Sequence, residues 1–260
     1  MRRIWRLSRL ALHLGYGIAV AALVLPRLQG TRREQVIRDW SAQVLRILNV
    51  RLVATGVLPT ADARAVLIVA NHISWLDIWA INTVRVVRFV AKSEVRSWPV
   101  IGWLSEKVGV IFIERARRHD TSRVSSAGAE ALRGGDCLCV FPEATTSDGT
   151  YLHPFRSSLL QSAVDAGVPV WPVAICYPRA DGTPNTAVAY SGNTTMAQSM
   201  HAILGQREII VHLTFAPPIS SEGRDRRELA QAAETVISSL VRLPVRAAPE
   251  TASDPPDAAQ

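Results

Sequence analysis

The pattern of apolar and polar positions changes period along the chain. From Leu10 to Pro26 there is no Asp, Glu, Lys or Arg over 17 residues, at the short end of the roughly 20 that cross a bilayer. From Glu34 to Asn49, apolar side chains at Val36, Ile37, Trp40, Val44, Leu45, Ile47 and Leu48 recur at helical spacing and predict an amphipathic helix. Beyond it, short β-branched runs alternate with helical stretches. "VRLVATG", "AVLIVA", "VVRFVA", "VIFIE", "CLCVF", "VPVWPVAICY", "TAVAY" and "EIIVHLTF" read as strands. Helices are expected after Ser74, around Pro99 to Lys107, from His119 to Arg133, from Arg156 to Ala166, near Thr195 to Leu204, and from Arg226 to Leu243. This alternation predicts an α/β fold: a mostly parallel or mixed sheet flanked by helices, preceded by N-terminal membrane-associated helices. In such sheets, sites gather where strands hand over to helices at their carboxyl ends.

Three parts follow from the pattern: an N-terminal membrane-associated helical segment over 1–49, an α/β domain over 50–243, and a tail over 244–260. The tail, "PVRAAPETASDPPDAAQ", is rich in Pro, Ala and acids, has no apolar period and is expected to be disordered.

Charge refines the picture of the N-terminus. Arg2, Arg3, Arg6 and Arg9 precede the apolar run, while Arg27, Arg32 and Arg33 follow it. Both ends are therefore drawn to the cytoplasm by the positive-inside tendency, which favours a segment lying in the interface, or dipping in and returning, over one that crosses. Gly15 and Gly17 would permit a bend in its middle. The expectation is monotopic attachment to the cytoplasmic face of a bacterial inner membrane. A cleaved signal peptide is disfavoured because no small-x-small site follows Pro26. The formal net charge is +7, and of the 29 basic residues only Lys92 and Lys107 are lysines. Arginine forks onto phosphate oxygens, so the surplus suits phosphate-bearing partners. Nucleic acid is not expected among them, since no nucleic-acid motif occurs and the most basic segment is also among the most apolar. Cys137, Cys139 and Cys176 lie in strand-like runs with no histidine pair at metal-ligand spacing, and read as core thiols in a reducing compartment.

"NHISWLD", residues 71–77, follows the apolar run "RAVLIVA". Residues five apart on a continuous α-helix are rotated by about 140°, so His72 and Asp77 face one another only if His72 lies in the strand-to-helix turn. Ser74 is then a natural N-cap with Asp77 at N3, where a carboxylate also suits a plain capping role. The alternative has Asp77 bound to one ring nitrogen of His72, fixing the tautomer and leaving the other nitrogen free as a base. That is the His–Asp half of a catalytic triad. No G-x-S-x-G motif occurs, so a nucleophile activated by His72 belongs to a substrate. "GVIFIERARR" ends a strand with Glu114 and Arg115, either a solvated edge or a phosphate site. "FPEATTSDG", residues 141–149, follows the strand "CLCV" with a carboxylate, three hydroxyls and a turn glycine, and turn chemistry leaves Glu143 unexplained.

Taken in order, "NHISWLD", "GVIFIER", "FPEATTSDG" and "GVPVWPVAI" resemble the four motifs of the glycerolipid acyltransferases of the lysophosphatidic acid acyltransferase type, over about Leu52 to Phe215. The resemblance implies that His72 is the general base and Asp77 its partner. It implies that Arg115 binds the acceptor's phosphate with Lys92 as helper, that Glu143 is associated with the acceptor's glycerol backbone, and that Thr145 belongs to the same binding loop. It further implies transfer of a fatty acyl group from acyl-CoA or acyl carrier protein to the free hydroxyl of a lysophospholipid at a membrane surface, with no metal and no cofactor. Lysophosphatidic acid is the first acceptor expected and lyso-ornithine lipid the alternative; a thioesterase, a lipase or a non-catalytic lipid-binding protein ranks below both. One position departs from the family pattern: Ala144 stands where glycine is common. Either the backbone there has positive φ and alanine is strained, or the methyl narrows the acceptor pocket.

Overall fold

The computed structural model describes residues 1–60, 63–113 and 118–246. Two helices come first, α1 (Arg2–Leu23) and α2 (Gly30–Leu48), joined through a 3-10 turn at Leu25–Arg27. The α1 helix is continuous through Gly15 and Gly17; the chain reverses at the 3-10 turn instead of bending mid-helix. α2 then returns along α1, with His13 stacked on Trp40 and Val20, Ala21 and Leu25 packed against Ile37. Gly17 is required there, because a Cβ at this position would meet the Trp40 ring at 2.6 Å. Asn49, in the left-handed conformation, ends α2 and turns the chain directly into the sheet.

The domain that follows contains β1 (Val50–Gly56), β2 (Leu67–Ala70), α3 (Leu76–Val84), β3 (Arg88–Lys92), α4 (Ile101–Val108), β4 (Ile111–Ile113) and α5 (Arg118–Arg133). It continues with β5 (Leu138–Val140), α6 (Gln161–Ala166), β6 (Val170–Cys176), α7 (Met196–Gly205), β7 (Ile209–Phe215) and α8 (Arg226–Val241). The seven strands form one sheet in the order β1-β7-β6-β2-β5-β3-β4. All neighbours are parallel except β6 and β7, so the sheet is mixed, as the alternation predicts.

Side-chain alternation divides the core between the two faces. Ile68 and Ala70 of β2 join Cys139, Val173, Ile175 and Val211 against α2, α3 and α7. Leu67 and Val69 point the other way and join Leu138, Val140 and Val170 against α5, α6 and α8. Because β2 is covered on both faces, it reads as a continuous apolar run. The cysteines take part as thiols of this core: Cys137 and Cys139 are buried and Cys176 is partly so.

Four expectations change. "TAVAY" is a 3-10 turn at Thr186–Val188, because Val188 and Ala189 drop into the core while backbone bonds run to loops: Asn185 N–H to the Tyr177 carbonyl and Tyr190 N–H to the Ile73 carbonyl. The helix expected over Arg156 to Ala166 begins as a 3-10 turn at Ser157–Leu160. α3 begins at Leu76 with Trp75 at its N-cap, so the Ser74 cap reduces to a 3.4 Å contact from the Leu76 N–H to its hydroxyl. Pro244–Arg246, placed in the tail by composition, pair with the loop after β5: Leu152 donates to the Pro244 carbonyl and Arg246 to that of Leu152. Residues 247–260 lie outside the described residues.

The N-terminal pair is attached to the domain by charge as well as by packing. The Arg6 guanidinium donates to the carbonyls of Gln206 at 2.6 Å and Arg207 at 3.1 Å, and Arg2 donates to that of Gly205. These carbonyls belong to the last residue of α7 and the two that follow it, beside the negative end of the helix dipole, which cations stabilise.

Candidate active site

β6, β2, β5, β3 and β4 all run the same way, so their carboxyl ends share one edge of the sheet. The site is assembled from residues just past those ends. Ala70 is the last residue of β2, and Asn71 extends the sheet with its side chain instead of its backbone. Its amide accepts from the Ile175 N–H at 2.7 Å and donates to the Ile175 carbonyl at 2.9 Å. The backbone is thereby released from the ladder, and His72 falls in the turn.

His72 Nδ1 lies 2.7 Å from Asp77 Oδ2. The same oxygen accepts from the N–H groups of Ile73 at 2.8 Å and Ser74 at 2.9 Å. The other oxygen accepts from the Tyr177 hydroxyl at 2.6 Å. Asp77 is fully buried with four donors around it, the condition under which a buried carboxylate is tolerated. The Tyr177 hydroxyl is pushed well above the usual phenol range by its burial and by the Asp77 carboxylate, and so remains a donor. Both candidate roles of Asp77 are thus filled at once: it caps the turn and it orients the histidine.

The His72 ring is fixed from a second side. Phe141, the first residue past β5, stacks on it with centroids 3.9 Å apart and planes within 10°, and Phe89 stacks behind Phe141 at 6.0 Å. The side chain is 20% exposed. With Nδ1 engaged by a carboxylate, Nε2 is the nitrogen left to act, and no described residue takes it up.

Glu143 reaches the same turn by another route. Its Oε1 accepts from the His72 backbone N–H at 2.6 Å and its Oε2 from the His153 backbone N–H at 2.7 Å. Ser147 N–H donates to the His72 carbonyl at 2.9 Å, so the loop after β5 holds His72 by both of its backbone groups. Glu143 is 2% exposed. Burial pushes its carboxyl up to about 8, against the two N–H donors, which favour the charged form. With both oxygens engaged by backbone, Glu143 braces the loop.

The remaining expected residues fall as follows. Thr145 is exposed on the loop, whereas Thr146 donates to the Tyr190 carbonyl and closes the 186–190 segment over it. Lys92 is the last residue of β3, at the same sheet edge. Arg115 lies outside the described residues. Of the N–H groups at the start of the α3 turn, those of Ile73 and Ser74 go to Asp77 and are not open to a substrate oxygen. Ala144 has φ +63°, which settles its alternatives in favour of backbone strain. A left-handed L-residue costs about 1–2 kcal/mol. Asn71, Phe141 and Tyr177 are additions to the sequence reading. Each follows an apolar run directly, and that position past a strand's carboxyl end is the one signal that marks them.

A parallel-strand edge carrying a buried carboxylate and an oriented imidazole with one open nitrogen, and among the described residues no nucleophilic side chain bonded to it, is the arrangement of a general base that acts on water or on a substrate's own hydroxyl. The family model for Acyltransferase matches residues 50–176, which run from β1 to the end of β6. The lyso-ornithine lipid O-acyltransferase of Pseudomonas aeruginosa is 36% identical over 91% of this chain and 92% of its own. The 1-acyl-sn-glycerol-3-phosphate acyltransferase of Neisseria meningitidis is 33% identical over 80% of this chain and 82% of its own. The crystal structure of the 1-acyl-sn-glycerophosphate acyltransferase of Thermotoga maritima superposes with a TM-score of 0.64 and 24% identity, covering 93% of this chain and 97% of that one, and shows the shared fold. The chain belongs to the glycerolipid acyltransferase family and is an acyltransferase.

Proposed function

We propose that this enzyme transfers a fatty acyl group from a thioester, acyl-CoA or acyl carrier protein, to the free hydroxyl of a lysolipid, with His72 as general base. The observation that carries the proposal is the His72–Asp77 contact at 2.7 Å with Nε2 left open at the sheet edge. His72 Nε2 takes the hydroxyl proton as the oxygen attacks the thioester carbonyl. The C–S bond breaks as the ester forms, and the imidazolium returns its proton to the departing thiolate. Asp77 stabilises the imidazolium between the two transfers. Phe141 and Glu143 keep the ring and its backbone in place, so little of the barrier is used in orienting the base.

Two acceptors are carried. Lyso-ornithine lipid is supported by a relative that spans nearly the whole of this chain. Lysophosphatidic acid, the first expectation from the motifs, is supported by the Neisseria relative and requires a phosphate site, for which Arg115 and Lys92 are the candidates. The enzyme works from the cytoplasmic face of the inner membrane, where a bilayer-held acceptor meets a water-soluble donor. α1 supports this: the segment Arg2–Arg27 is long and apolar enough to cross a membrane, and only 17% of its most apolar window is buried. Its arginine clamps to α7 favour attachment along the surface. The test is acyl transfer from labelled acyl-CoA by the detergent-solubilised protein, with the two acceptors in parallel. Transfer to either one, lost in His72→Ala, is expected. Retention of turnover in that variant overturns the mechanism, and the acceptor that yields no product is eliminated.

A further inference from the structure

A second apolar element flanks the site. β3 ends at Lys92 on the edge that carries His72, and the chain continues through a 3-10 turn, Ser93–Ser97, into α4. Along this connection Trp98, Val100, Ile101 and Trp103 are 40%, 40%, 39% and 36% exposed. Four large apolar side chains within six residues form a patch, not a scatter of single exposed residues. The element is built to present them. Leu104 and Val108 of α4 pack into the cluster of Val20, Ala21, Leu25 and Ile37, which fixes α4 on the N-terminal helices. Gly102 lets α4 cross the preceding turn, since a Cβ there would meet the Arg96 carbonyl at 2.1 Å. Val100 holds φ +66°, an unusual conformation for a β-branched residue at the tip of the turn.

We propose that the Trp98–Trp103 element is a second bilayer-contacting surface, which inserts into an anionic leaflet together with the exposed face of α1. The proposal rests on the membrane attachment argued above and extends it to the edge of the active site. Two observations choose a lipid surface as the occupant. First, the element packs beside α1: Leu104 enters the cluster that holds Leu25, the residue that follows Leu23 and Val24, which are 62% and 40% exposed. Second, its border is basic. Arg27 and Arg32 are exposed, Arg33 donates to the Lys107 carbonyl at 2.8 Å, and the Lys107 ammonium sits 5.5 Å from the Trp103 ring centroid. Glu106, the acid beside them, is paired with Arg96 at 2.6 Å. Tryptophan bordered by arginine and lysine is the composition of a membrane interface, with apolar rings in the acyl boundary and cations at the head groups.

The test uses the full chain with a nitrobenzoxadiazole label at Ile101→Cys, in a Cys176→Ser background because the other two cysteines are buried. The same label at Arg224→Cys, on an exposed loop, is the reference. On addition of phosphatidylglycerol vesicles, the label at 101 is expected to shift to the blue and gain intensity, the label at 224 to stay unchanged, and phosphatidylcholine vesicles to give a weaker response. In flotation, the double variant Trp98→Asp, Ile101→Asp is expected to bind phosphatidylglycerol vesicles about tenfold or more weakly, the scale of losing a buried apolar side chain, with unchanged thermal unfolding. Vesicle binding with no change at 101 overturns the proposal and leaves α1 as the attachment. An equal response to both lipids overturns the role assigned to the basic border. Failure to bind either vesicle overturns the membrane reading itself along with this extension.

Discussion

Two buried carboxylates stand at the carboxyl edge of the sheet, one in the first turn of α3 and one in the loop after β5, and are used in different ways. Asp77 and Glu143 are 0% and 2% exposed. Asp77 collects four donors, two of them side chains, and directs its charge at an imidazole ring. Glu143 collects two backbone N–H groups, and burial raises its carboxyl to about 8. Depth alone therefore does not fix a role. The kind of donor separates them: side-chain donors tie Asp77 to the His72 ring, and backbone donors tie Glu143 to the placement of the loop.

That contrast breaks most visibly at the ring. His72→Ala and Asp77→Asn are each expected to lower kcat by about 10²–10⁴, with far-UV circular dichroism unchanged in the alanine variant; steady-state acyl transfer checks this. Near-wild-type turnover in Asp77→Asn would return the carboxylate to a capping role alone. Next comes Tyr177→Phe. A hydrogen bond to a charged group contributes about 1.5–3 kcal/mol, so kcat is expected to fall about ten- to a hundredfold with KM nearly constant. Loss of thermal stability with kcat unchanged would make Tyr177 a packing residue only.

Glu143 sharpens the comparison through pH. Its folded value of about 8 lies above the ordinary unfolded value, so between the two the native state binds a proton that the unfolded chain does not. The associated stability is fully present below the unfolded value and is lost as pH rises through about 8. Glu143→Gln should flatten the slope of the unfolding midpoint between pH 5 and pH 8, while an unchanged slope would assign it to another group. The smallest expected effect is at Ala144. Relief of about 1–2 kcal/mol of left-handed strain exceeds the roughly 0.5–1 kcal/mol that glycine costs in chain entropy. Ala144→Gly is therefore expected to raise stability slightly in denaturant titration, with activity retained.

What the sequence disclosed and what it withheld divide along the same lines. His72 and Asp77 lie five residues apart, and a short-range geometric argument suffices to pair them. The strands flanking the site were legible because β2, β5 and β6 are buried on both faces and read as unbroken apolar runs. Tyr177 meets Asp77 across 100 residues, Asn71 meets Ile175 across 104 and Glu143 meets His72 across 71. Such contacts depend on the strand order β6-β2-β5, which no local pattern specifies. "TAVAY" misled because its apolar residues are buried by a turn packed on the site and not by a ladder. The capping signature at Ser74 was correct in its partner and wrong in its hydroxyl: Asp77 does reach the Ser74 N–H, but the helix starts one residue later than a Ser74 cap requires.

The clamps from Arg2 and Arg6 onto the carbonyls of Gly205, Gln206 and Arg207, at the end of α7 and just past it, carry a mechanical consequence. They tie the first turns of α1 to the domain, so that helix and domain are held in one orientation. Whatever plane α1 rests against then sets the tilt of the sheet and the bearing of the His72 edge. A rotating tether would have to find its lipid in three angles as well as in the plane. On the membrane attachment proposed above, this enzyme has its angles set by the fold, and its encounters with substrate become a search over a surface.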